Sequence, residues 1–202
     1  MKITLTTAQA VALAKGITPA ISKDKYHLQS VQIITTEDYA TFTATDGYRL
    51  HRITVPQTDT TAGDTFTVTG GELVAALLAA AKDIGKADRV IVIDYDLDGV
   101  VEITGGGLTK LVTETDIEFP ACAAILDAGT ETESGACYDT IYLADIVTAA
   151  GHISGKAKKN NYGDEQLVKI ENIHPNKPMH VTAQNTATGM QFHGVLMPRR
   201  AS

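Results

Sequence analysis

The sequence predicts an α+β protein, with antiparallel sheets covered on one side by helices, and three observations lead there. Its apolar pattern switches between strand and helix periods in a recurring order. Glycines and turn dipeptides sit at the switches, and the order repeats along the 202 residues.

The first unit opens with an alternating strand, "MKITLT". "TAQAVALAKGI" follows, with Ala8, Val11, Leu13 and Ala14 at helical spacing and Thr6 or Thr7 as N-cap. Three strands are expected next, "YHLQSVQIIT", "YATFTA" and "YRLHRITV", the last two joined by a tight turn at Asp46-Gly47. The second unit repeats the order. "DTFTVT" is a strand and "GGELVAALLAAAKDIG" an Ala/Leu-rich helix. "DRVIVIDY", "GVVEITG" and "TKLVTET" then form a meander with a turn at Asp98-Gly99. In the third unit "CYDTIYL" reads as a strand running into "LADIVTAAGHI", followed by "EQLVKIEN", "PMHVTAQ" and "MQFHGVLM". Three βαβββ units therefore lie near 1–57, 64–115 and 136–200, and two of them are expected to share a core.

A hydrophobic content of 44% suits a folded chain. The N-terminus lacks the apolar run of a signal peptide, and no stretch is apolar enough to span a bilayer. A cytoplasmic protein without membrane contact is expected. The net charge of −7 argues against nucleic-acid binding over the whole surface but is compatible with a local basic face. Cys122 and Cys137 do not form a disulfide framework or a zinc pattern.

Catalytic patterns are missing from the sequence. Asp94, Asp96 and Asp98 in "DYDLDG" have the start of a calcium loop, but Glu102 comes too early to close it. The glycines at 105–107 join two strands and precede no helix, which makes a poor phosphate loop. The six histidines are scattered, and G-x-S-x-G is absent. No enzyme activity, metal or cofactor is expected; an enzyme built on the Asp94–Asp98 hairpin is the most remote reading.

Five short strings in chain order resemble the bacterial DNA polymerase sliding clamp, the beta subunit of the replicase. "ATDGYRLHR" is similar to that family's A-T-D-G-[HY]-R-L, and "YHLQSVQI" to the strand before it, with Ser30 in place of a glycine. "DIEFPACAAIL" resembles the interdomain F-P segment, with Cys122 at an aromatic position. "IYLADIV" looks like a helix start in the last domain, and "HGVLMPRRAS" like the family's ending. The resemblance implies a sliding-clamp (DNA clamp) fold of repeated βαβββ units, sheets outside and helices on the inner face. It divides the chain into a complete clamp-like domain at 1–117, an interdomain segment at 118–135 and a half domain at 136–202, or one and a half clamp domains.

Carried over by position, a peptide-binding pocket would use Leu28, Thr45, Gly47, Tyr48, Arg49, Leu50, Pro120, Ile125, Val195, Leu196, Met197, Pro198 and Arg199. Arg199 and the Ala201-Ser202 ending depart from the family's apolar residues and make the rim more polar. Lys15, Lys82, Lys86, Lys156, Lys158 and Lys159 would touch phosphates without reading sequence. The implied function is that of a bacterial or phage replication processivity factor that encircles duplex DNA and tethers a polymerase by a peptide tail. Its partners would be DNA, polymerase, a clamp loader and further copies of itself, in a tetramer with three helices per chain or a trimer with a fourth helix in "ACAAILDAG". The alternative is an adaptor that captures such peptides from polymerase or transcription proteins without encircling DNA.

Overall fold

Strand β1 (Lys2–Thr6) runs directly into helix α1 (Thr7–Ile17), and Thr6 is the residue that turns one into the other. Its hydroxyl accepts from the Gln9 N–H at 3.2 Å while the Gln9 side chain accepts from the Thr6 N–H at 2.8 Å, a capping box. Such a cap stabilises a helix by about 1 kcal/mol. The computed structural model describes residues 2–57, 63–84, 90–95, 99–122, 126, 138–154, 168–171, 173 and 176–198.

The first meander is β2 (Ser30–Thr35), β3 (Tyr39–Thr45) and β4 (Arg49–Pro56). Strand β5 (Thr65–Thr69) then leads into α2 (Gly70–Ile84), followed by β6 (Val90–Tyr95), β7 (Val100–Gly105) and β8 (Leu108–Thr113). The first strand of each unit leaves its own meander. β1 pairs with β6, and β5 pairs with β2, so each unit supplies the strand that closes the other's sheet. α1 packs on α2 between them. One helix on three strands buries too little to stand alone, and this exchange is the physical reason the units come as a pair.

The third unit contains α3 (Thr140–Ser154), β9 (Val168–Glu171), β10 (Met179–Gln184) and β11 (Gln191–Leu196). Its meander extends the first one, because β11 lies antiparallel to β4. The result is a seven-stranded sheet in the order β5-β2-β3-β4-β11-β10-β9 beside the four-stranded sheet β1-β6-β7-β8. α1 lies on β3 and β4, α2 on β7 and β8, and α3 on β10 and β11, with α1 touching both other helices. Leu5, Leu13, Ile17, Phe42, Ile53, Leu77, Ile93 and Phe192 are fully buried in one core between helices and sheets. Each such side chain contributes about 1.5–3 kcal/mol.

Two expected strands differ. Tyr26–Leu28 forms a single turn of 3-10 helix, and β2 starts only at Ser30. Thr140–Leu143, expected as a strand, is the first turn of α3, because Asp139 accepts from the Ile141 N–H at 2.9 Å and caps the helix there.

Candidate functional site

The first and third units meet where β4 lies beside β11. Leu50 stands opposite Val195 and Arg49 opposite Leu196. Alternation along the strands turns Leu50 and Val195 away from the helices, where Phe119, Cys122 and Leu126 cover them in a second apolar cluster. The segment after β8 therefore folds back over the outer face of the seven-stranded sheet. Burial pushes the Cys122 thiol up from its ordinary pKa, which leaves it an apolar packing group rather than a nucleophile.

The turn between β3 and β4 is held by side chains on its own backbone. Thr45 Oγ1 donates to the Arg49 carbonyl at 2.7 Å and accepts from the Gly47 N–H at 3.1 Å. Asp46 accepts from the Tyr48 and Arg49 N–H groups at 2.9 and 3.0 Å. Gly47 has φ +88°, a left-handed conformation in which a side chain is strained. A Cβ there would also lie 3.2 Å from Lys25 Nζ, a tight contact.

Beside this turn, Thr45, Gly47, Tyr48, Arg49, Leu50, Val195 and Met197 line a recess of about 40 Å³. The Met197 N–H donates to the Tyr48 carbonyl at 3.2 Å, and its side chain is 43% exposed at the rim. On that measure a single water needs about 10–15 Å³, so the recess is small but larger than a one-water site.

Of the other residues expected here, Leu28 is buried against the turn, while Pro120 and Pro198 are half-buried outside the recess. Leu196 alternates to the helix side and is fully buried in the main core. Ile125 and Arg199 lie outside the described residues.

Tyr48 and Arg49 also line a larger cleft of about 420 Å³, between the loop at Thr18–Lys25 and the start of α3. Tyr48 stacks on Tyr142 with centroids 5.9 Å apart, and the Lys25 ammonium lies 4.5 Å above the Tyr48 ring. The Arg49 guanidinium bonds Asp46 at 3.0 Å, pairs with Asp145 and sits 4.6 Å over the Tyr142 ring. Arg49 thus joins the first unit to the third. Lys25, Tyr142 and Asp145 were not singled out in the sequence, although "IYLADIV" contains two of them. A third concavity of about 450 Å³, more polar, runs along the outer face over Arg52, Thr182 and His193.

Lys15 and Lys82 are exposed in the last turns of α1 and α2. The acids of the described helices are all engaged. Glu72 accepts from the Thr113 N–H at 3.2 Å, Asp83 from the Gly107 N–H at 2.8 Å, and Asp145 pairs with Arg49. Lys86, Lys156, Lys158 and Lys159 lie outside the described residues, as do Asp96 and Asp98 of the acidic hairpin. Among the described residues no group of three or more His, Cys, Asp and Glu is placed to hold a metal, and no helix is long and apolar enough to cross a membrane.

No protein-family model matches the sequence, and no curated protein sequence matches it. Solved structures do match over the whole chain. The DNA polymerase III beta subunit of Pseudomonas aeruginosa superposes with a TM-score of 0.76 at 14% identity, covering 100% of this chain and 66% of that one. The beta subunit of Thermotoga maritima gives 0.73 at 12% identity, with 100% and 66% covered. PCNA of A. fulgidus, bound to the C-terminal region of FEN-1, gives 0.64 at 11% identity, with 100% and 99% covered. The chain spans about two thirds of the length of the bacterial proteins it matches.

Proposed function

Taking the fold of the DNA sliding clamps as the premise, we propose that this chain is a clamp-like replication processivity factor. It encircles duplex DNA as a homo-oligomer and tethers a polymerase through a short peptide. One observation carries the peptide reading. The apolar recess at Leu50, Val195 and Met197 opens beside Tyr48 and Arg49, which also line the neighbouring cleft. An extended peptide would place an apolar anchor under Met197 and lay its flank across the two tyrosines, with affinity from the buried anchor. That the PCNA match holds a segment of another protein supports a peptide partner here.

The DNA reading draws on the helix layer, where Lys15 and Lys82 are exposed while the helix acids are engaged elsewhere. Such contacts act on phosphates, carry no sequence information and weaken with salt. In this reading the chain performs no chemistry of its own, and the division at 1–117, 118–135 and 136–202 corresponds to one and a half clamp domains.

The test is binding of a labelled clamp-binding peptide rich in Gln, Leu and Phe. Affinity should fall about tenfold with Met197→Ala, the loss of roughly 1.4 kcal/mol of contact. Failure to bind at high micromolar peptide would remove the docking site. A non-encircling adaptor is the second reading, favoured by the net charge of −7. Retention on closed circular DNA, with release on linearisation, distinguishes encirclement from it.

A further inference from the structure

The chain's own repeat shows how one βαβββ unit is completed, and the third unit lacks that completion among the described residues. β2 receives β5 and β6 receives β1 from the opposite unit, whereas β9, in the corresponding place, is the outer strand of its sheet. α1 is flanked by α2 and by α3, whereas among the helices α3 packs mainly on α1 and more lightly on the 3-10 turn at Thr18–Ala20. The difference shows in burial. α2 and α3 are both 15 residues long, yet α2 buries seven residues and α3 only Ile146, Ala149, Ala150 and Ile153.

The uncovered flank can be located by helical geometry. Asp145 pairs with Arg49 and so faces β4, on which α1 lies. Val147 lies roughly 160° around the helix from it. It is 39% exposed, and a Cβ built on Gly151, one turn further along, meets nothing within 4 Å. Leu143, Val147 and Gly151 thus form an i, i+4 ridge on the side away from α1, with exposed Ala144 next to it.

We infer that this flank of α3 docks on the same flank of a second copy, so that two third units form a composite body like the one made by the first and second. At a two-fold axis each side chain meets its own counterpart, and a charged face would repel itself. This face suits self-association. α3 has no Lys or Arg, and its single carboxylate, Asp145, is paired with Arg49 on the other side. The small residues at 144 and 151 allow the helices to approach closely. The inference adds a pairing mode to the clamp reading but rests on the repeat alone, since a pair can form without encircling DNA.

The experiment is the solution mass of the full chain by light scattering at tens of micromolar, for wild type, Gly151→Arg and Val147→Arg. Wild type should hold an even number of chains. Each variant should have half that mass or less, with unchanged far-ultraviolet circular dichroism and a melting temperature lowered only by the lost association. Gly151→Arg keeps the fold because its side chain enters open space. A monomeric wild type, an odd-numbered assembly, or folded variants that retain the wild-type mass would overturn the pairing. Circular-DNA retention of the wild type is scored separately: even-numbered assemblies that do not stay on closed circles would end the encircling reading and leave the pairing intact.

Discussion

Acidification should loosen the sheet beneath the recess at Leu50 through one histidine. His51 follows Leu50 in β4, is fully buried, packs edge-on against Phe192 and holds Nδ1 2.7 Å from the Gly16 carbonyl at the end of α1. Burial lowers its pKa from 6.5 to about 4, with the Gly16 hydrogen bond opposing and the Arg49 charge assisting. Because the folded value is depressed, the unfolded chain binds more protons between the two values. Stability is therefore complete above 6.5 and is lost as the pH falls through 6.5 toward 4. Each tenfold in the protonation equilibrium is about 1.4 kcal/mol, so the whole effect is about 3 kcal/mol and the part expressed by about pH 5 is about 2 kcal/mol. The assay is urea unfolding at neutral pH and near pH 5, for wild type and His51→Gln, which keeps an N–H donor toward Gly16 but does not titrate. His152 and His180, also lowered by burial, are present in both proteins and cancel. The variant should lose about 2 kcal/mol less than wild type on acidification. Parallel losses in the two proteins would refute the argument.

Other perturbations test the site and its supports. Gly194→Ala should cost about 1–3 kcal/mol in urea unfolding, since its Cβ would fall 2.7 Å from Ile146 and Phe192 and push α3 off β11. Gly47→Ala should cost about 1 kcal/mol through its left-handed backbone and weaken peptide binding, because the turn carries Tyr48 and Arg49 into the recess. Arg49→Ala removes the bonds to Asp46 and Asp145; the expected loss is about 1 kcal/mol, discounted for the partial exposure of Asp145. Lys15→Ala with Lys82→Ala should weaken DNA binding alike for all sequences and reduce the salt slope by about 1 per lysine. An unchanged slope would remove these lysines from the contact.

The elements legible in the sequence were those whose signal is local. The alternation of "YATFTA", the Ala/Leu period of α2 and an N-cap at Thr6 or Thr7 all state their structure within a few residues, and the folded chain has them there, with Thr6 as the cap. The start of α3 was misread because "TIYL" suits either period; the Asp139 cap decided it. The site was legible only in part for a similar reason. The strings around Tyr48 and Met197 marked two stretches far apart in sequence, and resemblance alone suggested that they meet.

Alternation in β11 makes Val195 and Leu196 face opposite sides, but which of them faces the helices is set by the pairing of β11 with β4. Tertiary packing placed Val195 and Met197 at the recess and Leu196 in the core. It also turned Arg49 into the link between two units, through Asp145, 96 residues further along the chain. The sequence by itself determined the order of helices and strands, since periods and caps act over one or two turns. Tertiary structure alone decided the exchange of β1 and β5, the joining of β11 to β4 and the exposure of Val147 on α3. Those depend on which sheet edges find partners, and edge pairing is a contact between segments that no local pattern encodes.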